Sequence, residues 1–277
     1  MHVDLEMPRK EERIHKIFTD PTGHHVIISS LDGNCYYLHS STNRMKSLRQ
    51  LKGVQIESVA WDRQNGNERS SGRILLGSSQ GVLFEAVLDT TDRHVKQVYD
   101  LNDRVPITGL EFQIFPSYSA DKTAAKPKYF IMLTTHIRYY QFVGTGQTFD
   151  EVFAPYNQRP LTFTELLSET SNSELHFFAQ PYHAMAKKFA WLNGAGIFHG
   201  KLVFGSQKDG DGCATDTSLI PLPFSQPAPP DSPIAMVLTE FHFLLLYQDR
   251  FQALSLLNLQ VVHEEMFSKV FLQIKHY

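Results

Sequence analysis

Cysteine is scarce: there are two, Cys35 and Cys213, in 277 residues, and they stand in no C-x-x-C pair. That usage fits free thiols in a reducing compartment and gives no disulfide framework. None of the nine asparagines stands in an N-x-Ser/Thr sequon, which favours the cytosolic side. Long apolar runs are missing too. The longest, around Phe241–Tyr247, falls far short of the ~20 residues a membrane helix needs. The opening MHVDLEMPRKEER is charged and lacks the apolar core of a secretory signal. Membrane association is therefore expected only through partners or lipids. Charge of one sign is also lacking: the net charge is −3, without the basic stripe of a nucleic-acid binder.

Catalytic and metal motifs are absent in the same way. No H-E-x-x-H, Cys/His cluster or G-x-S-x-G occurs. His24-His25 precedes a strand with no third ligand at a metal spacing, so it reads as turn and surface histidine. Asp209-Gly210-Asp211-Gly212 opens like a calcium loop. The pattern then fails, with Ala214 at the glycine place and Ile220 where a bidentate glutamate belongs. Gly144-Thr145-Gly146-Gln147 follows a strand but lacks the Lys-Ser/Thr of a phosphate loop. Glu57, Asp62, Glu264 and Glu265 lie on strands with no sign of convergence. Arg9-Lys10 and Lys187-Lys188 are too sparse to track a phosphate backbone. Tyr36-Tyr37, Tyr139-Tyr140 and Phe177-Phe178 read as strand packing ahead of an interaction surface. No catalytic, cofactor-binding or metal-ligating residue is nominated, and no cofactor is expected.

What the chain does have is aromatics, with 20 Phe and 11 Tyr, and short apolar runs broken by turn residues. Ser232–Phe267 is the clearest case. It reads as four strands, Ile234–Thr239, Phe241–Tyr247, Arg250–Leu257 and Gln260–Phe267, with almost nothing between them. The second is apolar on both faces, which calls for cover on both. A covered four-stranded meander is the blade of a β-propeller.

Looser copies precede it. Residues 14–51 hold HVIISS and CYYLH around Asp32-Gly33-Asn34, a strong hairpin signal, with Met45–Leu51 as a fourth strand. Residues 54–102 hold RILLGSS and VLFEAVLD around Gln80-Gly81. Residues 106–153 hold KYFIMLTT and IRYYQFVG, with Phe149–Phe153 as the outer strand. An insertion follows, in which Phe163–Glu169 reads as a helical turn. Residues 174–224 hold ELHFFA, AKKFAWL and IFHGKLVF, with a short strand at Leu219–Leu222, before a Pro-rich linker at Pro221–Pro233. The fifth unit is 232–267. A unit of about 40 residues is the period of propeller repeats. The expectation is one all-β domain over residues 1–277, a β-propeller with about five blades of a seven-bladed ring.

Three stretches carry a family likeness. They are ESVAWDR with GRILLGSSQGVLFEAVLD, SELHFFAQP with KKFAWLNGAGIFHGKL, and IAMVLTEFHFLLLYQDRFQALSLLNLQVV. Together they resemble the amino-terminal propeller of the vacuolar protein sorting 18, or deep orange, family, in order from about His15 to Tyr277. The resemblance implies a non-enzymatic interaction module of the HOPS and CORVET tethering complexes. Its partners would be the other class C vacuolar sorting subunits. It would sit peripherally on the cytosolic face of late endosomes and of the lysosome or vacuole. The long α-solenoid and RING zinc domain of such proteins have no counterpart in these residues. Two other readings stand: a propeller scaffold of a coat or nuclear pore, and a propeller enzyme with polar groups meeting at the axis.

Overall fold

A computed structural model of the chain describes residues 12–42, 45–91, 93–115, 126–167, 172–180, 185–203, 213–221 and 232–267. Five antiparallel sheets of four strands are formed, and strand order in each follows sequence order. Each is a blade of an all-β propeller. The first holds β1 (Ile14–Thr19), β2 (His25–Ser30), β3 (Cys35–His39) and β4 (Lys46–Ser47). The second holds β5 (Ile56–Ala60), β6 (Ser70–Ser78), β7 (Val82–Asp89) and β8 (Arg93–Asp100). The third holds β9 (Gly109–Phe115), β10 (Lys128–Thr134), β11 (Arg138–Thr145) and, outermost, β12 (Phe163–Glu165). The fourth holds β13 (Glu174–Phe178), β14 (Lys188–Asn193), β15 (Gly196–Leu202) and β16 (Ala214–Pro221). The fifth holds β17 (Ala235–Leu238), β18 (His242–Leu246), β19 (Arg250–Ser255) and β20 (Val261–Met266).

The chain divides into two compact units. The first three sheets lie in one, up to Thr164, and the last two in the other. In the first unit one core joins sheets one and two, with Ile27, Tyr37, Leu51, Ile74 and Leu76 buried in it. A second joins sheets two and three, built on Leu83, Tyr99, Ile131, Phe142 and Phe153. In the second unit a core of Ala190, Leu192, Ile197, Met236, Phe243 and Leu245 joins sheets four and five. Alternation along each strand makes this possible, since every second side chain points into the same gap.

The hairpins follow from turn chemistry. At Asp32-Gly33 the glycine has φ +73°, a left-handed position that costs glycine nothing. The turn before β2 is closed by Asp20, whose carboxylate accepts from the Thr22 and His25 amides at 3.0 and 2.7 Å. Gly196 is the tightest case. Its φ is +148°, and a Cβ there would stand 2.1 Å from the Ile220 carbonyl oxygen across the β15–β16 ladder. Gly196→Ala is therefore expected to part that ladder and destabilise the chain by about 2–3 kcal/mol. A lowered urea midpoint checks it; an unchanged midpoint would show that the backbone relaxes freely there.

Four expectations are corrected. Phe149–Phe153 is not the outer strand of the third sheet but a helix, α1. Phe149, Val152 and Phe153 recur at helical spacing and are fully buried, while Asp150 and Glu151 sit in the first turn, where the helix dipole favours them. The outer strand is β12, inside the stretch expected to turn helically and beyond residue 153. Met45–Leu51 gives only a two-residue strand, then a 3-10 turn at Arg49–Leu51 that buries Leu51. In the fifth sheet, β18 is covered on one face. Phe243 and Leu245 are buried, whereas Leu244 is half-buried and Leu246 exposed. The calcium-like loop at 209–212, most of the Pro-rich stretch and Arg9-Lys10 lie outside the described residues.

Candidate interaction surfaces

The residues weighed in the sequence for chemistry are held in separate structural roles. Glu57 accepts from Lys16 at 2.8 Å and from His15 at 3.0 Å. Asp62 closes its own loop, accepting from the amides of Gln64 and Asn65 at 3.0 and 2.8 Å. Glu264 and Glu265 are exposed neighbours on β20 and point to opposite faces of the sheet. Lys187 donates to Gln180 at 3.1 Å and Lys188 to the Glu240 carbonyl at 2.6 Å, so the basic pair is split between partners. The glycines of Gly144-Thr145-Gly146 admit α1: a Cβ on Gly144 would meet the Val152 carbonyl at 2.8 Å. Tyr36, Tyr37, Tyr139, Tyr140 and Phe177 are buried, which places them in packing. Cys35 and Cys213 are buried free thiols, and burial pushes the Cys35 thiol up to about 12. Among the described residues no group of three or more His, Cys, Asp or Glu could hold a metal ion.

His24-His25 proves more organised than two turn residues. His25 is fully buried and His39 nearly so, with ring centroids 5.1 Å apart. The imidazole of His25 donates from Nε2 to the Asn67 carbonyl and accepts at Nδ1 from the Tyr37 hydroxyl, both at 2.7 Å. His39 repeats the arrangement, donating from Nε2 to the Glu68 carbonyl and accepting at Nδ1 from Ser41, both again at 2.7 Å. Two imidazoles thus pin the loop before β6 to the first sheet. These bonds fix the tautomers, so neither ring has a free nitrogen for a metal.

Burial holds His25 below the ordinary histidine value. His39 and His24 act in the same direction, and together they outweigh the Asn67 carbonyl and Asp20. For Asp20, burial pushes the carboxyl up, but the bonds from Thr22 and the His25 amide prevail and keep it low, so it stays ionised throughout the histidine range. A base with a lowered folded pKa binds fewer protons folded than unfolded. Its contribution is complete above the unfolded value of about 6.5 and is lost as pH falls below it. The melting temperature is expected to be level from pH 8 to 7 and to fall from pH 6.5 to 5. One such group adds a slope of at most about 1.4 kcal/mol per pH unit. His199, also lowered by burial, adds to the same slope. His25→Gln should flatten the acid limb in part, and an identical limb would remove His25 from the account.

Two features are open to a partner. On the fifth sheet Val237, Leu246, Val261 and Val262 are 52, 36, 50 and 55% exposed. In the first unit, a hollow of about 390 Å³ is floored by Tyr99, Leu101, Tyr140 and Tyr156 and rimmed by Asp100, Asn102, Asp103, Arg138, Asn157 and Arg159. It is a half-open hollow with tyrosine rings below and charged groups at the lip, and its volume lies within the range of small binding sites.

Comparison with known proteins places the chain. Residues 1–275 match the Pep3/Vps18/deep orange beta-propeller domain. The Danio rerio vacuolar protein sorting-associated protein 18 homolog is 32% identical over 96% of this chain, and vacuolar sorting protein 18 of Arabidopsis thaliana is 34% identical over 96%. The chain spans 28% and 27% of those two proteins. Among solved structures, the RRP9 WD40 repeats superpose with a TM-score of 0.53 at 9% identity, covering 93% of this chain and 64% of that one, a likeness of fold alone. No described helix is long and apolar enough to cross a membrane. With a family match along almost its whole length and relatives above 30% identity, the chain belongs to the Pep3/Vps18/deep orange β-propeller family.

Proposed function

We propose that this propeller is a non-enzymatic protein-interaction module of a membrane-tethering complex in vacuolar and lysosomal sorting. It works beside the other class C vacuolar sorting subunits of HOPS and CORVET. It acts on the cytosolic face of late endosomes and of the lysosome or vacuole, held there by its partners before fusion. The observation that carries this is the family match over residues 1–275, to relatives named for vacuolar sorting. The dispersal of the described acids, and the commitment of both ring nitrogens of His25 and His39 to structural bonds, support a binding role over catalysis. A scaffold in a coat or nuclear pore would have the same fold. The identities of 32–34% with vacuolar sorting proteins, against 9% with the RRP9 repeats, favour sorting.

Affinity purification of the full-length protein carrying this segment should recover the other class C subunits together with endosomal membrane. Recovery of neither would end the proposal. The five blades are further proposed to form one domain over residues 1–277, within a larger, seven-bladed ring. The exposed apolar side chains on the fifth sheet support this, since a propeller blade ordinarily packs on both faces. A version lengthened at both ends should then be more soluble and melt higher, and equal behaviour would argue for a ring already closed.

A further inference from the structure

The hollow of the first unit is built from three separate stretches: the end of β8 with the loop after it, the start of β11, and the segment from Tyr156 to Phe163. Its floor is rigid. The Tyr156 hydroxyl donates to the Val143 carbonyl at 2.9 Å and accepts from the Val143 amide at 2.7 Å, which fixes the ring. Tyr99, Leu101 and Tyr140 are each no more than 6% exposed, yet line the space. The lip is held as firmly. Arg138 pairs with Asp103 at 2.8 Å and lies 4.5 Å over the Phe163 ring. The loop after β8, which holds Asp103, carries two non-glycine residues in left-handed backbone, Asn102 at φ 61° and Arg104 at φ 51°. Such backbone persists only where its surroundings over-determine it, and it concentrates at binding sites.

The charges at the lip do not all cancel internally. Arg138 and Asp103 neutralise one another. Asp100 accepts the Asn102 amide at 2.8 Å through one oxygen, and no described residue donates to the other. The Arg159 guanidinium sits over the Tyr156 ring, 4.1 Å from its centroid, and has no carboxylate partner among the described residues. A cation stacked on a fixed ring beside a floor of tyrosine rings is pre-oriented for an incoming anion. We propose that this hollow docks a polypeptide segment of a partner protein by one aromatic or long aliphatic side chain. An adjacent carboxylate of that segment meets Arg159, and a peptide N–H meets the open oxygen of Asp100. The anchor packs on the tyrosine rings of the half-open hollow while the charge pair sets its register, the usual division of labour at a small interface.

The site deepens the reading of this propeller as an interaction module and rests on it, but its test is separate. An array of acetylated hexapeptides pairing each of Phe, Tyr, Trp, Leu, Ile and Met with Asp, Glu, Lys or Ser is probed with the purified 277-residue chain. The best peptides are then titrated by fluorescence anisotropy. Acidic–apolar peptides should bind saturably, and changing the acid to Lys or the anchor to Ala should weaken binding at least about tenfold. Arg159→Glu, on an exposed side chain and checked by an unchanged melting temperature, should lose the acidic peptides and gain the lysine ones. Retention of lysine and acidic peptides alike, no saturable binding, or an Arg159→Glu protein with the wild-type preference would each overturn the proposal. If peptide binding fails while the full-length protein still recovers its complex, the hollow is wrong and the interaction role stands.

Discussion

Phe142→Ala is expected to lose about 3–5 kcal/mol, the cost of emptying a fully buried aromatic site. Phe142 is wholly buried and meets four rings: Tyr99, Tyr140, Phe153 and Tyr156, at centroid distances of 5.6, 6.4, 5.1 and 4.8 Å. Three of the four contacts are edge-to-face, the arrangement that adds attraction beyond buried area. The cavity cannot close easily, because Tyr156 is bonded to the backbone of β11 and α1 is anchored by three buried side chains. Against a total stability of about 5–15 kcal/mol, such a loss lowers the melting temperature by on the order of 10 °C. The sequence supplies its own reporter, since it has two tryptophans and Trp61 packs against the core between the first two sheets. In a Trp191→Phe background, Trp61 fluorescence follows the first unit alone. Phe142→Leu should cost less than about 1.5 kcal/mol, and an equal loss from Leu and Ala would mean that ring volume is not what the site uses.

The second large effect lies in the other unit. Trp191 is fully buried on β14, its Nε1 donates to Ser173 Oγ at 2.9 Å, and it meets Phe198 edge-on at 6.4 Å. Trp191→Ala should cost about 3–5 kcal/mol through the cavity and the loss of the bond to Ser173. Trp191→Phe keeps most of the volume and loses the hydrogen bond, so about 1–2 kcal/mol is expected. Limited proteolysis provides the readout: cleavage in the fourth and fifth sheets should accelerate far more for Ala than for Phe. Similar rates for both would sink the packing argument.

These two sites also show what was legible in advance. AKKFAWL reads as a strand from its apolar run alone, and Trp191 falls inside it. KYFIMLTT and IRYYQFVG read as a hairpin, and β10 and β11 pair through seven residue positions. Phe149–Phe153 misled because five residues with apolar ends fit a strand as well as a helix, and only the space beside Gly144 decides. The histidine cluster was hidden for a different reason. His25 and His39 bind backbone carbonyls 42 and 29 residues away, and a carbonyl leaves no mark in sequence. The hollow was out of reach as well, because Tyr156 and Arg159 fall in a stretch that reads as an insertion between blades. What marks them is the position of Arg159 over a pinned ring, which is a property of three dimensions only.

Strand order equals sequence order in all five sheets, and each core joins sheets consecutive in sequence. This bears on how the chain emerges from the ribosome. Within a blade every ladder joins strands consecutive in the chain, most of them across short loops, so local contacts form without waiting for distant segments. At about 5–20 residues per second a blade's length of chain is made within a few seconds. A finished blade can thus serve as the template against which the next one condenses. Nascent chains halted after Asp100 has cleared the exit tunnel should already protect the first two blades from protease, and uniform cleavage of such chains would show that docking waits for synthesis to finish.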